Sequence, residues 1–241
     1  MRLALFDLDN TLLAGDSDVA WGHFLASVGA VDGKEYVRMH DYFYAQYMEG
    51  TLDIREFCRF SFQPLLEHPL PHLQQWRQRF VEEHITNMVA PGSASVLEQH
   101  RAAGDTLVII TATNSFVTRP IADLLGVEHL IATEPEISDG RFTGELQGIP
   151  CFQDGKIQRL QHWLEARGEP LTRIAEATFY SDSRNDIPLL EAVRTPVAVD
   201  PDPLLAAHAE QKGWPRMSLR DAPLESMAAT ISRSAEPYGT D

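Results

Sequence analysis

Two hydrophobic periods divide the chain. Leu3-Ala4-Leu5-Phe6 is an apolar run of strand length, and it stops at two carboxylates, Asp7 and Asp9. From Val19 to about Ala90 the period becomes helical: apolar residues in Val19–Leu25, Tyr36–Met39 and Phe43–Met48 recur at three-to-four spacing. Gly29, Gly33, Gly50 and the cluster Pro64, Pro69, Pro71 divide this stretch into about four helices, with no strand pattern between them. After Pro91-Gly92 the period alternates. A helix over 93–103 closes at Gly104, a β-branched strand runs over 106–111, a helix follows over 116–125, and Leu130-Ile131-Ala132 is a short strand.

Glu136 to Gly148 holds Asp139-Gly140-Arg141 between short alternating runs, a hairpin signal. Lys156 falls in the first turn of an amphipathic helix that runs to Ala166. Strands are then expected at Ala177–Ser181 and Val197–Asp200, and a short helix at 203–211. From Pro223 the chain reads as a polar, poorly ordered tail. This alternation predicts an α/β fold, a doubly wound parallel sheet interrupted by a helical insertion. Residues 1–15 and 91–241 would form the α/β core and residues 16–90 an α-helical cap domain.

Composition narrows the function. A net charge of −15 and a pI near 4.9 leave no basic patch for a nucleic acid or an anionic membrane. Only three lysines are present, Lys34, Lys156 and Lys212, so a lysine beside acidic loops stands out. Cys58 and Cys151 make neither a disulfide framework nor a zinc spacing. The chain enters its first strand without a signal-peptide layout, and no apolar run approaches about 18 residues, so a cytoplasmic location is expected. Nothing in the sequence sets an oligomeric state.

Twelve of the 21 aromatic residues lie between Asp16 and Ala90, which predicts that the helical unit builds its own core from large side chains, with some left to line a cleft. The nine histidines show no metal spacing; His68 and His72 are four apart, but Pro69 and Pro71 rule out a regular helical pair. All nine are expected at the surface or at helix caps, and Arg184 in solvent.

The candidate chemistry begins at Asp7 and Asp9. Residues i and i+2 of a strand share a face, and two carboxylates repel by about 4 kcal/mol at about 4 Å and an effective dielectric of about 20. Such a pair needs a cation, a shared proton or a chemical task; the plainer alternative is an acidic strand end that caps a loop. Two more strands end in polar clusters, Thr111 with Thr113 and Asn114, and Asp182 with Asn185 and Asp186. In open α/β sheets ligands bind at the carboxyl ends of the strands, so the three clusters are expected to meet. Asp182 and Asp186 alone could equally be helix-capping acids.

Phe6-Asp7-Leu8-Asp9-Asn10-Thr11, Thr111 at a strand end, Lys156 opening a helix and Ser181-Asp182-Ser183-Arg184-Asn185-Asp186 occur in order, and together they resemble the four motifs of the haloacid-dehalogenase-like phosphatase superfamily. With a helical insertion between the first two motifs, the chain looks most like the phosphoserine-phosphatase-like branch. The resemblance implies a small phosphomonoester as substrate, Asp7 as nucleophile, Asp9 as general acid and base, and Thr111, Asn114, Lys156 and Asn185 on the phosphoryl group. It implies Mg2+ at Asp7, the Asp9 carbonyl and Asp182, in keeping with magnesium's preference for few carboxylates and hard oxygen ligands, with Asp186 behind them orienting Lys156 or metal-bound water. A sugar-phosphate mutase would share Asp7 and Asp9, and a non-catalytic phosphate-binding protein would share the fold.

Substrate choice would rest on the insertion. Asp16 occupies the place of a glutamate that holds the substrate ammonium in phosphoserine phosphatases, although it also reads as a helix N-cap. Arg59 matches a cap arginine that grips a substrate carboxylate. The fourth motif lacks the glycines that flank its aspartate in those enzymes, which keeps another amino-alcohol phosphate, such as histidinol phosphate, in view.

Overall fold

A computed structural model describes residues 2–221 of the chain, so the expected tail from Pro223 lies outside the described residues. β1 (Leu3–Phe6) leads into a wide turn, Leu8–Leu12, and four helices follow: α1 (Ser17–Ser27), α2 (Gly33–Glu49), α3 (Ile54–Glu67) and α4 (Leu70–Phe80). Then come α5 (Ser93–Ala102), β2 (Thr106–Asn114), α6 (Ser115–Leu124), β3 (His129–Thr133) and the hairpin β4 (Pro135–Ser138) and β5 (Arg141–Leu146). α7 (Asp154–Ala166), α8 (Thr172–Ala175), β6 (Thr178–Ser181), α9 (Ile187–Ala192), β7 (Thr195–Val199), α10 (Pro203–Lys212) and β8 (Arg216–Met217) complete the order. The short elements α8, α9 and β8 were not expected from the periodicity.

Six parallel strands lie in the order β3-β2-β1-β6-β7-β8. β1 is central, with Leu5 level with Val108 on one side and Phe179 on the other. Because side chains alternate, Leu3 and Leu5 pack with Val108, Ile110 and Phe179 beneath one helical layer, while Ala4 and Phe6 pack with Ile109 and Tyr180 beneath the other. The chain reverses direction in the sheet beside β1, which is where such folds open a crevice.

Pro64 and Pro71 do not act as dividers. Pro64 sits inside α3 and Pro71 in the first turn of α4, where the missing N–H costs nothing; the breaks fall after Ser27, Glu49 and Glu67. The helices also do not build a wholly separate core. Trp21, Phe24 and Phe80 belong to the same buried cluster as Phe6, Phe116 and Ile121. Trp21 stacks on Phe24 at 5.6 Å and meets Phe80 edge-on at 5.2 Å, and Arg77 lies over the Phe116 ring at 4.5 Å while donating to the Phe116 carbonyl at 2.9 Å. Each fully buried large apolar side chain contributes about 1.5–3 kcal/mol, so this seam joins α1 and α4 firmly to α6. The hairpin turn Asp139-Gly140, both residues at positive φ, aims β5 at α3, where Leu66 packs on Gly144.

His100 corrects the expectation for the histidines. It is buried, with Nδ1 2.8 Å from Asp105 and Nε2 2.9 Å from the Tyr180 hydroxyl, a polar bridge under the sheet that no period or spacing announces.

Gly22 in α1 faces the Tyr36 ring so closely that a Cβ there would collide with it. Gly22→Ala is expected to lower the melting temperature, because overpacking of about 1–3 kcal/mol outweighs the helix-propensity gain of up to about 1 kcal/mol. A thermal melt that rises or stays level would show that Tyr36 yields freely.

Candidate active site

Asp7 continues the sheet one residue past β1, its N–H donating to the Tyr180 carbonyl at 2.9 Å. The turn behind it is fixed by Leu13 N–H on the Leu8 carbonyl at 2.9 Å, by buried Leu8 and Leu12, and by Asn10 in the left-handed region at φ 58. Asp9 is held at both oxygens: Oδ1 accepts the Ser17 N–H at 2.6 Å and Oδ2 the Thr113 hydroxyl at 2.8 Å.

Lys156 is only 3% exposed, and its Nζ donates to Asp7 Oδ1 at 2.8 Å and to Asp186 Oδ2 at 2.7 Å. A tight entry to α7 puts it there. Gln153 takes φ 50, and a Cβ on Gly155 would run into the Pro150 carbonyl oxygen. Asp186 also accepts the Ser181 hydroxyl at 2.6 Å. Asp182 Oδ1 accepts the Thr11 hydroxyl at 2.9 Å, while the Thr11 oxygen accepts the Asp182 N–H at 3.1 Å, tying the first polar loop to the fourth.

Burial penalises these charges. It raises the Asp7 carboxyl to about 7 against the pull of Lys156, with nearby Asp186 adding to the rise. It raises Asp9 to about 6, helped by Asp16, and holds Asp182 well above the usual range, helped by Asp7. Burial alone would lower Lys156, but Asp186 and Asp7 outweigh it and hold the ammonium well above its ordinary range, so Lys156 is charged. Among the described residues no other residue's donor reaches the second oxygens of Asp7 and Asp182. Two such oxygens, with acidity suppressed by mutual repulsion, suit a further hard cation. No group of three or more His, Cys, Asp or Glu side chains forms a metal cluster among the described residues. Magnesium needs no such group, since it binds through one or two carboxylates and keeps several waters.

Asp7, Asp9, Thr111, Lys156, Asp182, Asn185 and Asp186 meet at one cavity of about 310 Å³. Thr111 is buried there and accepts the Thr113 N–H at 3.2 Å. Asn185 turns its amide oxygen to Gln153 Nε2 at 3.0 Å. Asp16 lines the same cavity and also caps α1, accepting the Asp18 and Val19 N–H groups at 2.9 and 3.0 Å, so the two readings of this residue coexist. Phe43, Tyr44, Tyr47 and Phe57 form its aromatic wall, opposite Phe152.

Two expected residues are elsewhere. Arg59 is exposed on α3, paired with Glu145 of the hairpin at 3.5 Å, and lines a separate groove of about 460 Å³ between α2 and α3. Its helix presents it to β5, not to the strand ends. Asn114 spends its amide oxygen on the Val117 N–H at 3.1 Å as the cap of α6 and is not on the cavity wall. Arg184 is not simply solvated: its guanidinium donates to the Tyr47 carbonyl at 3.3 Å.

Other residues join the site for which the sequence assigns no role of their own, Thr113 being expected there only as a member of its strand-end cluster. Thr113 lies two positions beyond Thr111 and so faces the same way, a signal that was present. Asp18, two positions beyond Asp16, is buried against the Ser61 hydroxyl at 3.3 Å and lines the cavity. Thr11 and Tyr47 carry no such signal, since their partners Asp182 and Ser183 are distant in sequence, while Ser181 pairs with Asp186 only five residues on.

Burial, with Asp9 nearby, raises Asp18 from 3.8 to about 7. Between these values the folded protein keeps a proton that the unfolded chain has released, so stability falls as pH rises through the window. Melting in chelator at pH 5 and pH 8 is expected to show wild type losing about 3 kcal/mol more than Asp18→Asn over that interval. Parallel losses in the two proteins would contradict the shift.

Residues 4–191 match the family model described as haloacid dehalogenase-like hydrolase. The chain is 42% identical over 220 residues to a histidinol-phosphatase of Neisseria meningitidis serogroup C, covering 91% of this chain and 99% of that one. It is 31% identical over 237 residues to the phosphoserine phosphatase SerB1 of Mycobacterium tuberculosis, covering 95% and 73%. Among solved structures, a Bordetella pertussis Tohama I protein of unknown function superposes with a TM-score of 0.85 at 45% identity, covering 90% of this chain and 98% of that one. A phosphoserine phosphatase shares the fold, with a TM-score of 0.66 at 18% identity and coverage of 95% and 97%. The chain belongs to the haloacid dehalogenase-like hydrolases, in their phosphoserine-phosphatase-like branch, and is a phosphatase.

Proposed function

We propose that the chain is a magnesium-dependent phosphomonoesterase that hydrolyses a small amino-alcohol phosphate of the histidinol-phosphate kind through an aspartyl-phosphate on Asp7. The observation that carries this reading is the buried Lys156 between Asp7 and Asp186 at 2.8 and 2.7 Å, beside Asp182. Phosphoryl transfer needs positioned charge more than covalent machinery, and this arrangement offers a nucleophile whose negative charge is neutralised from one side.

In the first step a carboxylate oxygen of Asp7 attacks phosphorus in line, and the bond to the ester oxygen breaks. Asp9 gives its proton to the departing alkoxide, a role suited to a carboxyl raised to about 6 and held at both oxygens. In the second step Asp9 takes a proton from water, whose oxygen attacks the aspartyl-phosphate and frees Asp7 and inorganic phosphate. Lys156 and the Thr111 hydroxyl face the phosphoryl oxygens. Asp7, Asp182 and the Asp9 carbonyl would hold magnesium, which when bound supplies positive charge for the phosphoryl group.

The leaving group is read from the far wall. Residues 16–90, acting as the cap, bring Asp16, Asp18 and four aromatic rings to the cavity and no lysine or arginine among the described residues, while Arg59 is engaged by Glu145. Such a wall favours an amine next to a flat ring and repels a carboxylate. The relative that shares 42% identity carries the name histidinol-phosphatase, in agreement with that preference.

Phosphate release from a panel of amino-acid, amino-alcohol, sugar and nucleotide monophosphates is expected to be fastest with histidinol phosphate and to vanish in excess chelator. Asp7→Asn is expected to be inactive, and Asp9→Asn to lose about 10²–10⁴-fold in kcat. Full turnover by Asp7→Asn would overturn the mechanism, and a preference for phosphoserine would overturn the substrate assignment.

A further inference from the structure

Ser183 and Arg184 of the fourth motif both reach the same residue of α2. The Tyr47 hydroxyl is 2.7 Å from Ser183 Oγ, and Arg184 donates to the Tyr47 carbonyl at 3.3 Å. Gly50, in the left-handed region at φ +75, ends α2 against the same guanidinium, where a Cβ would strike it. Tyr47 is thus fixed at its backbone and at its hydroxyl, with its ring 6.1 Å from that of Phe152.

Either hydroxyl of the Ser183–Tyr47 pair can donate, and the other partners of the two oxygens favour one direction. A serine oxygen has two lone pairs and one hydrogen. Asn185 directs its backbone N–H at Ser183 Oγ at 3.2 Å and its side-chain Nδ2 at 3.4 Å. The Asn185 side chain is also a hydrogen-bond partner of Tyr47, so donors converge on both oxygens of the pair, and donation from Ser183 to Tyr47 is the arrangement that satisfies them together. The Tyr47 hydrogen is therefore left over, on a residue that lines the cavity with Asp7, Asp182 and Asn185.

We propose that Tyr47 donates this hydrogen to a phosphoryl oxygen of the bound substrate, with Ser183 setting the hydroxyl's orientation. The inference rests on the phosphatase reading. It answers a need that the wall creates: a phosphoryl group has three equatorial oxygens, and the insertion presents it with Asp16 and Asp18 but no cationic lysine or arginine among the described residues. A neutral donor binds an anion there without drawing in the carboxylate that a cation would also attract. Tyr47 stands next to the acidic loop, two bonds of contact from Asn185 through Ser183, so its reach falls on the phosphate end of the cavity and not on the Asp16 end.

Four proteins test this: wild type, Tyr47→Phe, Ser183→Ala and the double variant, each checked for an unchanged fold by circular dichroism. The probe is inorganic phosphate, measured both as a competitive inhibitor of monoester hydrolysis and by calorimetric titration in the presence of magnesium. Tyr47→Phe is expected to weaken phosphate binding about ten- to a hundredfold, the worth of a hydrogen bond to a charged group. Ser183→Ala, which keeps the tyrosine hydroxyl, is expected to lose about two- to threefold, and the double variant no more than Tyr47→Phe. Phosphate binding within twofold of wild type in Tyr47→Phe overturns the proposal. So do equal losses in the two single variants, the result expected if the pair only ties helix to loop. If wild type hydrolyses no monoester, the phosphatase reading fails by itself, while the titration still decides whether Tyr47 contacts phosphate.

Discussion

One buried ammonium organises the strand ends. Lys156 at 2.8 Å from Asp7 and 2.7 Å from Asp186 is the sole lysine or arginine buried among the described residues. Desolvating such a group costs several kcal/mol, which only close partners and further hydrogen bonds offset. The surrounding structure supplies them: the Ser181 hydroxyl donates to the same Asp186 oxygen that accepts from Lys156, and Gly155 lets the helix start press against the Pro150 carbonyl. Taking away one partner strands the others in a dry site, a loss of about 3–5 kcal/mol, so the geometry of Asp7 is secured by the same contacts that keep the fold together there.

The charge left over gives the site its character. Burial, with repulsion from neighbouring carboxylates, makes Asp7, Asp9 and Asp182 weaker acids than ordinary carboxyls, and Lys156 offsets only part of the rise at Asp7. Asp9 is distinguished from Asp7 by its neighbours: it has two neutral donors, the Ser17 N–H and the Thr113 hydroxyl, and no cation. A group restrained in that way can hold or release a proton without moving, whereas the charge on Asp7 is tied to the lysine 2.8 Å from one of its oxygens.

Much of this is legible in the amino-acid sequence. Alternating apolar runs that end in Asp7, Thr111 and Asp182 locate three strand ends, and parallel sheets bring strand ends together. Lys156 was findable because lysine is scarce and this one opens a helix beside acids. What escaped depended on contacts between distant segments. Arg59 had the right residue type, but its orientation is decided by how α3 packs on the hairpin. Asn114 was needed locally as a helix cap, and that nearby demand took its side chain. His100 and Tyr47 find their partners 80 and 136 positions away, beyond the reach of any short-range pattern.

The seam of Trp21, Phe24 and Phe80 against Phe116 and Ile121 bears on how such a protein can diversify. An insertion that shares its apolar interior with the sheet layer cannot be excised or exchanged whole without baring Phe116 and Ile121 to water. The part freest to vary is α2, which sends no residue into that cluster, whereas α3 adds Cys58, Phe62 and Leu65 to it. Change in this region is therefore cheapest in one helix that lies over the cavity, on a base the sheet layer and its neighbours hold in common.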